Sequence, residues 1–399
     1  MPPTLDHLLG WRSHRQGLDG SLSATTPAAV LARSGWARSV GGVGPYLTLH
    51  ARAGTGRAAV DAAVAALAVY ELPAARGCTY VVPAEDYGLA LALARATPDS
   101  DLAAARTLGV TDAEVAALAD RVESVLAPGP LDPAAIRDAV GGAARALGEA
   151  GKKKGVGTTL PLALGRLQAE GRIRRVPADG RLDRQRYAYA RWDEAPRWDG
   201  GRDPYEALAA RFFRWQGPAR LAEWQWFAGL GKRAAAAAAA PLGLVPAWAG
   251  SDRWLLPDDA AAFAAFVPPA EPRYAFVSAL DALFAARRDV ASHLAPADAA
   301  RPARTTGREQ ALGTLVDLPS HAVVDRGRLV GLWEYDPEAG ELVWATFDDR
   351  HDGGALRAAA ERAAAYVRDD LGDARSFSLD SPASRRPRLA ALRQAAAGW

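Results

Sequence analysis

The sequence predicts an α+β chain of tandem winged-helix domains ending in a small antiparallel sheet or half-barrel. Three observations carry that expectation. A helix–helix–hairpin order runs from Thr111 to Trp192, the same order is partly repeated from Pro204 to Leu256, and short alternating strands fill 320–347. The 399 residues are 49% hydrophobic and 24% charged, a globular composition that excludes wholesale disorder.

In chain order, Val60, Val64 and Leu67 recur at helical spacing within an alanine-rich run. Val40-Gly41-Gly42-Val43-Gly44-Pro45 breaks the chain before the apolar Tyr46–Leu49, and Cys78–Val82 reads as a buried strand stopped by Pro83. Glu85 and Asp86 stand where the next helix starts. Thr111-Asp112 opens a helix to about Leu126. After Pro128-Gly129-Pro130, Asp132 caps a further helix with Pro133 at its first position, running to near Gly151. The run Lys152-Lys153-Lys154 leads through Thr158 into a helix at 160–170. Strands at 172–176 and 186–192 follow, joined through the turn Ala178-Asp179-Gly180. The second round has helices at 204–215, 221–229 and 232–240, then strands at 242–247 and 253–256; alanine favours helix strongly enough to read Ala234–Ala240 as helical. Strands at 320–325, 329–335 and 342–347, a helix at 353–371 and a basic tail with Arg385, Arg386, Arg388 and Arg393 complete the chain.

The chemistry is less legible. Lys+Arg 48 against Asp+Glu 46 gives +2, so net charge alone announces no nucleic-acid binder. Local placement says more. Arg172, Arg174, Arg175, Arg181, Arg184 and Arg186 on the wing, with Lys152, Lys153, Lys154 and Thr158 before the preceding helix, are candidate DNA contacts, because a wing and a helix N-terminus can bracket a phosphate backbone. A single cysteine, Cys78, allows no internal disulfide and no cysteine-built zinc site, and the histidines lack ligand spacing, so neither metal nor cofactor is expected. No HExxH, GxSxG, Walker loop or dinucleotide fingerprint is present. No stretch reads as a membrane span or signal peptide, and the cysteine usage fits a reducing cytoplasm.

Several segments in this order resemble the AlkZ/YcaQ-like DNA glycosylases, a family of winged helix DNA-binding domain-containing proteins. They are Leu8-Leu9 … Arg15-Gln16, Gly44-Pro45-Tyr46-Leu47-Thr48-Leu49, the stretch from Arg76 to Asp86, the stretch from Pro218 to Trp224, and Val324–Trp333. The resemblance implies three winged helices, at 1–100, 101–195 and 196–268, and a β-barrel-like domain at 269–399. It also implies a concave face for double-stranded, possibly alkylated, DNA, and metal-free hydrolysis of the N-glycosidic bond of alkylated or crosslinked bases. The expected protein is a bacterial, cytoplasmic, nucleoid-associated monomer. The family's Gln-x-Gln or Gln-x-Asp falls on Arg38 and Val40. Valine cannot hold a water, and arginine stays protonated. Three readings follow: a glycosylase of altered chemistry, with a carboxylate from Glu85 or Asp86; a silent DNA- or lesion-binding relative; and a winged-helix transcription regulator. In the first, Arg38 contacts the phosphate or the damaged base; the alternatives for it are a grip on the phosphate next to the lesion and a pair within the fold with a carboxylate such as Glu71.

Overall fold

A computed structural model describes residues 2–40, 42–97, 99–184, 186–304 and 309–397. Helix starts follow the capping logic of the sequence. Thr26, Thr111 and Asp132 each accept a first-turn backbone N–H, opening helices Pro27–Ser34, Asp112–Val125 and Pro133–Val140. The last stops at Val140 rather than near Gly151. A separate helix, Gly148–Lys153, places Lys152 and Lys153 in its final turn.

All strand pairing is antiparallel among the described residues. Strands β1 (Ala37–Arg38), β2 (Val69–Pro73) and β3 (Thr79–Pro83) form one sheet in the order β1-β3-β2. Strands β4 (Ile173–Pro177) and β5 (Tyr187–Arg191) form the basic hairpin. Pro177 pairs with Tyr187, so the connection is longer than the Asp179-Gly180 turn alone and includes the helical turn Leu182–Arg184. Strands β6 (Ala219–Arg220), β7 (Val245–Pro246) and β8 (Arg253–Leu255) pair in the order β6-β8-β7.

The C-terminal region forms an open antiparallel sheet, where the resemblance implied a β-barrel-like domain. Strands β9 (Tyr274–Val277), β12 (His321–Asp325), β13 (Arg328–Asp336) and β14 (Glu341–Thr346) make an open sheet ordered β14-β13-β12-β9, while β10 (Pro302–Arg304) and β11 (Glu309–Ala311) pair separately. Among the described residues no barrel closes, because helices cover the sheet instead. Leu356, Ala359 and Ala363 of helix Gly353–Ala365 share a core with Val323 and Trp333, while Leu389 and Leu392 of helix Pro382–Ala397 pack with Val343 and Ala345. The basic tail is therefore a packed helix. Its arginines are occupied: Arg385 pairs with Asp373, Arg386 with Glu338, Arg388 with Glu334 and Asp380, and Arg393 with Asp336 and Glu341.

The cores link distant stretches. One joins Leu31, Tyr46 and Val60 to Val323, Trp333 and Val367; another joins Trp36, Tyr80 and Leu89 to Phe212 and Trp224. A third, with Val122, Ile136, Leu164 and Ile173, belongs to the region around the basic hairpin. No helix among the described residues is long and apolar enough to cross a membrane.

Candidate active site

Strand alternation sorts the residues around the motif positions. Ala37 pairs with Val81 and Val81 with Glu71, while Arg38 pairs with Tyr80 and Tyr80 with Leu72. Paired residues share a face, so Glu71 and Arg38 lie on opposite faces of this sheet. The expected Arg38–Glu71 pair is therefore absent. Arg38 instead sets its guanidinium over the Tyr80 ring, 5.4 Å from the centroid, with Nη1 3.5 Å from the phenol oxygen. Val40 is half-buried, and Gly41 lies outside the described residues.

After β1 the chain runs against the basic hairpin. Gly42 has φ +90°, and a Cβ there would stand 2.5 Å from the Asp183 carbonyl oxygen, so glycine is required. Two residues into the next helix, Gly44–Ala53, Tyr46 donates to Asp61 Oδ1 at 2.5 Å and accepts from the Leu182 N–H at 3.0 Å. One phenol thereby ties the motif helix, the helix carrying Asp61 and the hairpin loop together.

Glu71, central in β2, faces this junction. Its side chain is 3% exposed. Oε1 accepts from the Ser39 hydroxyl, which lies between the two motif positions, and from the Tyr187 hydroxyl at 3.1 Å. Oε2 is buried without a hydrogen-bond donor among the described residues, its nearest cation being Arg175 Nη1 at 3.9 Å. Burial pushes this carboxyl above the usual carboxylate range, against the opposing pull of Ser39, Arg175 and Tyr187. Glu71 lines a cavity of about 300 Å³ together with Asp61, Tyr70, Tyr87, Arg174 and Leu182.

The other carboxylates nearby are occupied. Asp61 accepts from Tyr46 on Oδ1 and pairs with Arg57 on Oδ2 at 2.6 Å; Asp183 pairs with Arg181 at 2.5 Å. Asp86, 1% exposed, accepts the Trp36 indole N–H at 2.7 Å on Oδ2 and Arg211 on Oδ1 at 2.6 and 2.5 Å. It is a pin between strand β3's end and helix Pro204–Gln216. Glu85 is exposed. Neither holds the motif loop as Glu71 does. Sequence reasoning had Glu71 only as a partner for Arg38; the period-2 alternation of β2 against β1 was the signal that separates them.

The candidate DNA contacts divide in two. Arg172 is enclosed by Glu123, by Asp120 at 2.8 Å and by Glu170 at 3.3 Å; Arg181 is held by Asp183 and the Leu371 carbonyl; Arg175 donates to Gln168 at 3.0 Å. Lys152 pairs with Glu149 at 2.7 Å. Arg174 lies over Trp192, 5.3 Å from its ring. By contrast, Lys153, Lys154, Arg184 and Arg186 are exposed and make no ion pair among the described residues. Arg184 and Arg186 line a cleft of about 510 Å³ with Arg375 and Val43, a cleft that Asp179, Asp183, Asp373 and Asp380 also line. Thr158 is half-buried and bridged to Ala146 through the backbone. Helix Leu160–Ala169 buries Leu160, Leu162, Ala163, Leu164 and Leu167, which leaves little of it to enter a groove.

A family profile described as DNA glycosylase AlkZ-like matches residues 43–368. The chain belongs to the AlkZ-like DNA glycosylase family. The matched span starts just past the motif positions Arg38 and Val40, so it covers the scaffold without them. The AlkZ-like chain is also similar in structure to the Streptomyces sahachiroi DNA glycosylase AlkZ, at 19% identity and a TM-score of 0.67, over 92% of this chain and 97% of that one. No curated protein matches the sequence. Among the described residues, no three His, Cys, Asp or Glu side chains gather as a metal ion would require.

Proposed function

We propose that this AlkZ-like protein binds double-stranded DNA and removes an alkylated base by hydrolysing its N-glycosidic bond. We read its scaffold as three winged-helix units, at 1–100, 101–195 and 196–268, followed by the open C-terminal sheet. The observation that carries the reading is the motif loop itself. The stretch after β1 is held against the basic hairpin by Gly42 and Tyr46, at the edge of a cleft where Arg184 and Arg186 stay free for phosphate. A cationic N-alkylated base is a good leaving group, so what the protein must supply is a bound duplex and stabilisation of the positive sugar. The Arg38 guanidinium rests on the Tyr80 ring, on the face of the sheet opposite Glu71.

A second reading, a lesion-binding protein without turnover, is favoured by the loss of both motif side chains. One experiment separates them: base release from duplexes carrying N7-alkylguanine or N3-alkyladenine. Release at a rate well above spontaneous depurination supports the glycosylase. Tight, lesion-selective binding with no release supports the silent reading instead.

A further inference from the structure

We propose that Leu379 is a wedge that enters the base stack of bound duplex DNA from the rim of the cleft lined by Arg184 and Arg186. The inference rests on the DNA-binding reading above and names a contact with the bases themselves. Exposure is the first argument. Leu379 is 94% exposed, against 37–80% for the other large exposed apolar residues, Leu221, Val267 and Val316. A lone exposed leucine is ordinary on a protein surface; the way this one is held is not.

The turn that carries it is the second argument. The Asp380 N–H closes the turn on the Phe377 carbonyl at 3.1 Å, which leaves Ser378 and Leu379 at its tip. Asp380 Oδ2 accepts from the Phe377 N–H at 3.1 Å and from Arg388 at 2.6 Å, and the Arg388 guanidinium lies 5.4 Å from the Phe377 ring centroid. Arg375 donates to the Ser378 carbonyl at 3.3 Å. Phe377 and Asp380 are thus spent on the fold, and the leucine between them is held outward. A side chain presented on a fixed turn loses little freedom when it inserts.

Charge says what the leucine meets. Asp380 and Arg375 line the same cleft as Arg184, Arg186 and Val43 of the motif loop. Of the aspartates there, Asp183 pairs with Arg181, Asp373 with Arg385 and Asp380 with Arg388. Arg184, Arg186 and Arg375 pair with no carboxylate among the described residues, so the cleft keeps a positive excess over the remaining Asp179. Arg181 also donates to the Leu371 carbonyl at 3.1 Å, tying the hairpin loop to the segment that leads into the turn. A phosphate backbone suits such a cleft, and an apolar side chain at its rim then faces the bases that the backbone carries. Unstacking costs least beside a damaged base, so a wedge here favours lesion-bearing duplex.

A duplex carrying 2-aminopurine beside an N7-methylguanine tests the wedge, with fluorescence, affinity and its salt dependence read on mixing. Unstacking should raise the fluorescence with wild type about threefold, and Leu379→Ala should abolish the rise and weaken binding about tenfold. The slope of log affinity on log salt should stay at the wild-type value, because no phosphate contact is lost. Leu379→Phe should keep both the rise and the affinity. Since Leu379 is exposed, both variants should melt with the wild type. Fluorescence and affinity unmoved in Leu379→Ala, with a wild type that binds duplex, overturn the wedge and leave the DNA-binding reading standing; a wild type that binds no duplex overturns both. A self-associated species that sediments in wild type and disappears in Leu379→Ala, with fluorescence unmoved, makes the leucine a contact between copies and likewise overturns the wedge.

Discussion

Two buried carboxylates of the first hundred residues, Asp86 and Glu71, sit at two different junctions. Asp86 joins the N-terminal sheet to helix Pro204–Gln216, and every acceptor position it needs is met by Trp36 and Arg211. Glu71 joins the same sheet to the basic hairpin, and one of its oxygens is left without a donor. Burial is nearly equal, so burial does not tell structure from function here. The hydrogen-bond inventory separates the two junctions: the Asp86 carboxylate has a donor on each oxygen, while both donors to Glu71 converge on Oε1. The same contrast recurs among the cations, between Arg172, ringed by carboxylates, and Arg184 and Arg186, which are not.

The largest effect should come from breaking the complete set. Asp86→Ala strands the Arg211 charge and the Trp36 N–H, and Arg211 is partly exposed, so the expected loss is about 2–3 kcal/mol. Urea unfolding read by tryptophan fluorescence checks this. A loss below about 0.5 kcal/mol would break the distinction between the junctions.

The cations come next. Replacing Arg184 and Arg186 together with alanine should flatten the dependence of log affinity on log salt by about two units, across DNA sequences alike. Arg172→Ala should leave that slope unchanged and lower stability instead, by freeing Glu123 and Glu170 to repel one another. Titrations of duplex at several salt concentrations decide it; a slope that changes only in Arg172→Ala reverses the assignment.

Glu71→Gln should have the smallest effect on stability, and the opposite sign to Asp86→Ala. With the folded carboxyl pushed above its unfolded range, the native state holds the proton longer than the unfolded one. Its contribution is therefore greatest in acid and is lost as pH rises from the unfolded value through the raised folded value. At neutral pH, Glu71→Gln should stabilise the fold by about 1 kcal/mol, and the gain should vanish below the usual carboxylate range. Thermal melts of both proteins across pH would show it. A variant less stable than wild type at neutral pH would mean that Glu71 is a structural pin like Asp86.

What the sequence determined by itself was local. Asp132 and Pro133 announce a helix start because a cap and its first turn are neighbours in the chain, and the Asp132 side chain does accept from the Ala135 N–H at 2.8 Å. The alternating runs before and after Ala178-Asp179-Gly180 yield β4 and β5 because the strand period is written in consecutive residues. The order of family segments, likewise written along the chain, pointed to the family. The tertiary structure decided every question of partnership. Whether Arg172 is free depends on Asp120 and Glu123, about 50 positions earlier, and whether the tail at 382–397 is a basic arm or a packed helix depends on strands β13 and β14. Glu71 gains its hydrogen-bond partners from Ser39 and Tyr187, 32 and 116 positions away. Charge and hydrogen-bonding capacity are properties of single residues, but their satisfaction is settled by side chains that only folding brings within about 3 Å.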